Sequence, residues 1–200
     1  RSLALAREDG DAFAASLALQ LRARVLGVDG KTAEAVVDLR QVVASLVDAG
    51  QPPGSFDLLR AQRLLAEVHL RSGDLAAAGQ VLEPVLSQHA GSAQPQALEY
   101  AEALDLAGRL AAASGKASVS QGHHRAAREL LVSALPAEHP LLLRNALYAA
   151  LAGAADASAD AERYLSALPP DSAWRQHLRR RTAAEPARSS PTHTEVLVLG

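Results

Sequence analysis

Gly73-Asp74-Leu75-Ala76-Ala77-Ala78-Gly79-Gln80-Val81-Leu82-Glu83-Pro84-Val85 is a turn followed by a helix. Gly73 permits a tight reversal of the chain. Asp74 is the residue type that caps the first turn of a helix. Leu75, Ala78, Leu82 and Val85 then recur at three- and four-residue steps, so they share one face. The stretch upstream has the same character, with Leu58, Ala61, Leu65 and Val68 along one face. Two amphipathic helices joined by so short a turn lie antiparallel, each burying its stripe against the other.

The turn recurs. Gly30-Lys31-Thr32-Ala33-Glu34-Ala35 precedes Leu39 and Val42, and Gly122-His123-His124-Arg125-Ala126-Ala127 precedes Leu131 and Ala134. In each, Gly leads by five to Ala, by four more to a large apolar residue, and by three more to a third apolar residue. Gly30 and Gly73 are 43 residues apart, and Gly73 and Gly115 are 42 apart. The third turn is expected to start at Gly115 and to carry a seven-residue polar insertion before Gly122. The fourth unit reads as shorter and without a clean Gly. A fixed period of this size marks an array of stacked units.

Composition agrees. Ala (44) and Leu (33) dominate the 200 residues, and aromatics make up 3%. Such a chain favours helices over strands, which argues against sandwiches, barrels and most α/β enzymes. With no cysteine, disulfide frameworks, thiolate metal sites and cysteine nucleophiles are excluded. The net charge is −2 and lacks the basic face that nucleic-acid binding requires. The most apolar window, Leu141 to Ala155, is interrupted by Arg144 and Asn145 and is too short for a membrane span. No signal peptide is legible. Helices are expected at about 11–26, 32–48, 56–71, 74–88, 95–113, 123–135, 141–152 and 157–168, with a last one over 172–182.

The recurring hairpin resembles the tetratricopeptide repeat. The period near 42 is similar to the long variant found in kinesin light chains and in many bacterial regulators. Glu138-His139-Pro140 resembles the His-Pro that opens repeats of that variant, and Asn145 falls near the family's Asn positions. The resemblance covers roughly Asp11 to Leu168, but the family's aromatic positions are mostly Ala, Leu or His, as at His69. It implies an all-α, right-handed solenoid of antiparallel helical hairpins. Residues 1–183 form the array, and a C-terminal helix around Trp174 and Leu178 caps it. Residues 184–200 read as a flexible tail with a short apolar end, Val196-Leu197-Val198-Leu199.

Such an array leaves a concave surface lined by the first helix of each pair. The resemblance carries groove positions onto Leu17, Gln20, Arg24 and Val28 in the first unit. They fall on Arg60, Arg63, Glu67 and Arg71 in the second, and on Glu102, Asp105 and Arg109 in the third. Arg presents a planar fork that grips carboxylates at two points, so Arg60, Arg63 and Arg71 are expected to hold an acidic group of a partner protein or peptide. The competing expectation is that these cations pair with Glu67, Glu102 and Asp105 within the chain.

Other constellations carry less. His123-His124 with Glu129 lacks the four-residue spacing of a helical metal pair, and adjacent residues point about 100° apart on a helix. His69 and His89 are single and are expected in core or surface roles. No G-x-S-x-G elbow and no phosphate loop occurs. Asp156, Asp160 and Glu162 do not match a calcium loop. The Arg179-Arg180-Arg181 run is expected to form the wet face of the cap. No catalytic residue, cofactor or metal is expected. The expected function is a protein–protein interaction scaffold, cytoplasmic unless a membrane span lies upstream in a parent protein. High Ala with Arg favoured over Lys suggests a GC-rich bacterial source, and the first residue, Arg1, suggests a fragment of a larger regulatory protein. The alternatives are a small-peptide sensor controlling an attached kinase or DNA-binding domain, an enzyme using His123, His124 and Glu129, and an oligomerisation module.

Overall fold

The computed structural model describes residues 12–92 and 96–170, together with Arg175, Gln176 and Arg179. Among these residues all regular structure is helical. The helices are α1 (Ala12–Val28), α2 (Thr32–Asp48), α3 (Phe56–Arg71), α4 (Leu75–Gly91), α5 (Ala97–Ala113), α6 (Ala117–Ala134), α7 (Pro140–Leu151) and α8 (Ser158–Ala167). A single 3-10 turn, Ala155–Ala157, leads into α8. The expected capping helix and the tail from residue 184 lie outside the described residues, apart from Arg175, Gln176 and Arg179.

One turn closes every hairpin. Gly30, Gly73, Gly115 and Gly153 all have φ between +74° and +87°, a region that costs a side-chain-bearing residue dearly. After each Gly the next N–H reaches back to a carbonyl of the preceding helix. Lys31 N donates to Leu26 O at 2.8 Å, Asp74 N to His69 O at 3.0 Å, Lys116 N to Ala111 O at 2.9 Å, and Ala154 N to Ala149 O at 2.9 Å. This satisfies carbonyls that a helix end otherwise leaves bare. Two helix starts are fixed by side chains. Asp74 accepts from Ala77 N at 3.0 Å. His139 Nδ1 accepts from Leu141 N at 3.2 Å, with Pro140 in the first turn where its missing N–H costs nothing.

These turns correct two expectations. Gly153 is the clean glycine of the fourth unit, 38 residues after Gly115. The third unit carries no insertion: α6 starts at Ala117, and Gly122 is an ordinary helical residue. The small and polar run Ser118, Ser120, Gln121 and Gly122 imitates a turn in sequence. The register is therefore counted from Gly115, and the residues equivalent to Ala35, Leu39 and Val42 are Ser120, His124 and Ala127, all fully buried.

The hairpins stack in chain order. Each helix packs on its neighbours in sequence, and contacts that skip one helix join only α1 to α3, α3 to α5 and α5 to α7. The first helices of the hairpins therefore form a close inner row, and the second helices splay on the outside. The core is a series of linked clusters that join each of the first three hairpins to the next inner helix. Ala23, Leu26, Ala35 and Leu39 enclose Leu64, Leu65 and Val68. Leu59, Ala66, Leu82 and Val85 enclose Ala103, Leu106 and Ala107. The residue seven before each turn glycine is Ala23, Ala66, Gly108 or Ala146, each buried and small enough to let the two helices of a hairpin meet closely.

Candidate functional site: the inner groove

The inner row encloses a groove of about 490 Å³. Eight of the nine residues expected as partner-binding line it: Arg24, Arg60, Arg63, Glu67, Arg71, Glu102, Asp105 and Arg109. Gln20 does not; it is buried in α1. Of the two further positions carried over in α1, Leu17 is exposed outside the groove and Val28 ends the helix. The lining also includes residues not expected there, among them Phe56, Leu98, Glu99, Leu141 and Arg144. Arg144 stands nine residues before Gly153, where the second and third units have Leu64 and Leu106. Recognising Gly153 as the turn would have exposed that substitution.

Six arginines and four carboxylates line the groove, an excess of two positive charges in a chain whose net charge is −2. Most of them bind one another. Arg63, on α3, is buried and engages Glu99 through Nε and Glu102 through Nη2, the latter at 2.6 Å. Burial opposes its charge, yet Glu102 and Glu99 outweigh that and raise its pKa. Glu67 accepts from Arg71 at 3.0 Å along its own helix and from Arg109 of α5 at 3.1 Å. Burial works against the Glu67 carboxylate, but Arg109, Arg71 and Arg63 together lower its pKa to about 2. Arg144 of α7 reaches Glu102 at 3.3 Å. Arg109 also lies over the Tyr148 ring, 4.8 Å from its centroid.

The network thus bridges α3, α5 and α7, which is the competing expectation from sequence with different partners in detail. Two lining cations stand outside it. Arg24 and Arg60 have no carboxylate partner among the described residues. Arg60 lies over the Phe56 ring at 5.8 Å, so its guanidinium edge stays available. Phe56 and Leu98, exposed at the starts of α3 and α5, add apolar surface to the same groove.

Asp105 belongs less to the groove than to a buried polar knot between the third and fourth hairpins. His124 Nδ1 lies 3.0 Å from Asp105 Oδ1. Asn145 Nδ2 donates to Asp105 Oδ1 at 3.0 Å and to His124 O at 3.1 Å. Burial opposes the Asp105 charge, and the hydrogen bond from His124 overrides it to lower the pKa. An Asp–His pair invites comparison with a general base. Here, however, His124 Nε2 is buried against Gly108, whose added Cβ would sit 2.6 Å from that nitrogen. A base must reach the proton it takes, and this nitrogen faces backbone. His69 and His89 are buried, the latter stacked on Tyr100 at 5.1 Å. Among the described residues no three His, Asp or Glu side chains converge on a metal position. No helix among the described residues is long and apolar enough to cross a membrane.

No protein-family model matches the chain, and neither does any curated protein sequence. Its folded shape does have counterparts. Two crystal structures of TPR-like repeats of a kinesin light chain protein from Podosopora anserina align with it. One is 20% identical, covers 91% of this chain and 80% of that one, and has a TM-score of 0.58. The other is 19% identical over 94% and 84%, with a TM-score of 0.56. The crystal structure of BtubC (BKLC) from P. vanneervenii aligns over 95% of this chain and 72% of that one, at 13% identity and a TM-score of 0.60. The chain is built as a tetratricopeptide-like solenoid.

Proposed function

We propose that this solenoid is a protein-interaction module whose inner groove holds an acidic segment of a partner, with Arg24 and Arg60 gripping its carboxylates and Phe56 and Leu98 its apolar side chains. One observation supports this reading above others. The groove's charges satisfy each other across α3, α5 and α7 and leave these two arginines over. A cation without a partner inside a concave wall is poised for charge-assisted bonds from a ligand. The role expected of Arg63 changes accordingly. It braces α3 against α5 instead of meeting the partner. The bias toward Ala, and toward Arg over Lys, supports a GC-rich bacterial source.

Short labelled peptides of alternating Glu and Leu, with Gln–Leu peptides as controls, test the site by fluorescence anisotropy. The acidic peptides are expected to bind and the neutral ones to fail. Arg24→Glu with Arg60→Glu should abolish binding while circular dichroism stays unchanged. Equal binding of both peptides, or full affinity in the variant, would refute the proposal. Capture from a bacterial lysate with the same pair of proteins then identifies the natural partner.

A further inference from the structure

The outer face of α1 carries Leu17, Leu21 and Val25, which are 40%, 51% and 61% exposed. Their four-residue spacing sets them in one stripe. Leu21 and Val25 stand nine and five residues before the turn glycine Gly30. The same places before Gly73 are Leu64 and Val68, only 6% and 5% exposed. Before Gly115 they are Leu106, 3% exposed, and Leu110.

Inside the array these two places face the preceding hairpin. Leu64 and Val68 share a cluster with Ala35 and Leu39 of α2. A Cβ added at Gly27 of α1 would meet Val68 Cγ2 at 3.7 Å. Leu106 and Leu110 pack with Leu82 and Val85 of α4, and Leu110 Cδ2 lies 3.8 Å from a Cβ built on Gly79. In the second and third units, positions nine and five before the turn are thus apolar stacking surface. In α1 that surface is apolar and bare. A solenoid that ends at a helix needs a polar outer face there. The opposite end differs: among the described residues, neither α7 nor α8 contributes an exposed large apolar side chain.

We propose that the outer face of α1 is a stacking interface for a further hairpin of this same repeat type, joined in line ahead of α1. Its second helix lays a small residue and a larger apolar residue over Leu21 and Val25, at the spacing at which Ala35 and Leu39 of α2 meet Leu64 and Val68.

The chain has no cysteine, so Val25→Cys supplies a single reporter thiol. Residues 12–48, the hairpin that already covers the stacking face of α3, are fused ahead of Arg1. The thiol in the original α1 is labelled with a maleimide, with and without the fusion. The fused hairpin is expected to slow labelling by about tenfold or more, as covered groups react only through opening. Leu39→Glu in the fused copy should restore the fast rate. Circular dichroism should show added helix. An unchanged labelling rate, or a fused copy that gains no helix on the intact array, overturns the proposal. So does slow labelling of the unfused chain that quickens on dilution, which would give the face to a second copy.

Discussion

Gly108 and His124 form a matched pair of residues. His124 stands where the first two units have Leu39 and Leu82, and its ring fits because Gly108 has no side chain. Gly108→Ala forces the ring off its Asp105 hydrogen bond, and overpacking of this kind costs about 1–3 kcal/mol. Chemical denaturation should show that loss. It should shrink in a His124→Ala background, since the two effects share one contact. Glu67 makes a second residue-level prediction. Its folded pKa of about 2 lies below its ordinary 4.5, so its ion pairs stabilise the fold fully above about pH 4.5 and progressively less toward pH 2. The stability gap between wild type and Glu67→Gln should therefore be widest near neutral pH and narrow as the solution is acidified to pH 2. A gap independent of pH would show that Glu67 acts by packing alone.

At the scale of elements, the boundary of α6 is a test of how the turn is written. Gly115 has φ +74°, while Gly122 is helical and a Cβ there meets nothing within 4 Å. Gly115→Ala should destabilise the chain by about 1–2 kcal/mol. Gly122→Ala should stabilise it by about 0.5–1 kcal/mol, because a helix interior favours Ala. Thermal melts of the two variants should move in opposite directions. Reading Gly122 as the turn, as its Gly-His-His-Arg-Ala-Ala context invites, predicts the reverse. The general lesson is that Gly followed at five residues by Ala occurs by chance in so Ala-rich a chain. Backbone conformation at the Gly decides which instance is the turn.

At the scale of the molecule, the ion pairs from Arg63 to Glu99 and Glu102 and from Arg109 to Glu67 tie the second hairpin to the third. Solenoid stability is approximately a sum of unit and interface contributions, so weakening one interface decouples the two sides. Removing Arg63 leaves the buried Glu99 carboxylate without its cation, and an uncompensated buried charge costs about 3–5 kcal/mol. Arg63→Ala is therefore expected to split one cooperative unfolding transition into two, with hydrogen exchange in α1–α4 and α5–α8 no longer tracking together. A single transition, shifted but unbroken, would mean that the apolar cluster around Leu82 and Leu106 carries this interface without the ion pairs.

Helical periodicity, the turn glycines Gly30 and Gly73, and the capping Asp74 were all legible in the chain itself. They are local: each depends on residues within one or two helical turns, and each admits a single low-energy backbone. That sufficed for the helices and their pairing into hairpins; the groove positions came instead from the resemblance to the tetratricopeptide repeat, and eight of the nine line the groove. What the local pattern leaves open is which charge meets which. Arg60 and Arg63 are equally basic in sequence, three residues apart on one helix. Only the approach of Glu99 and Glu102 from α5 neutralises Arg63 and leaves Arg60 with a phenyl ring for company. Likewise only stacking shows that Leu21 and Val25 are bare where Leu64 and Val68 are covered. Burial and ion pairing across helices depend on distances set by packing between units some 40 residues apart in sequence, and no short-range pattern encodes them.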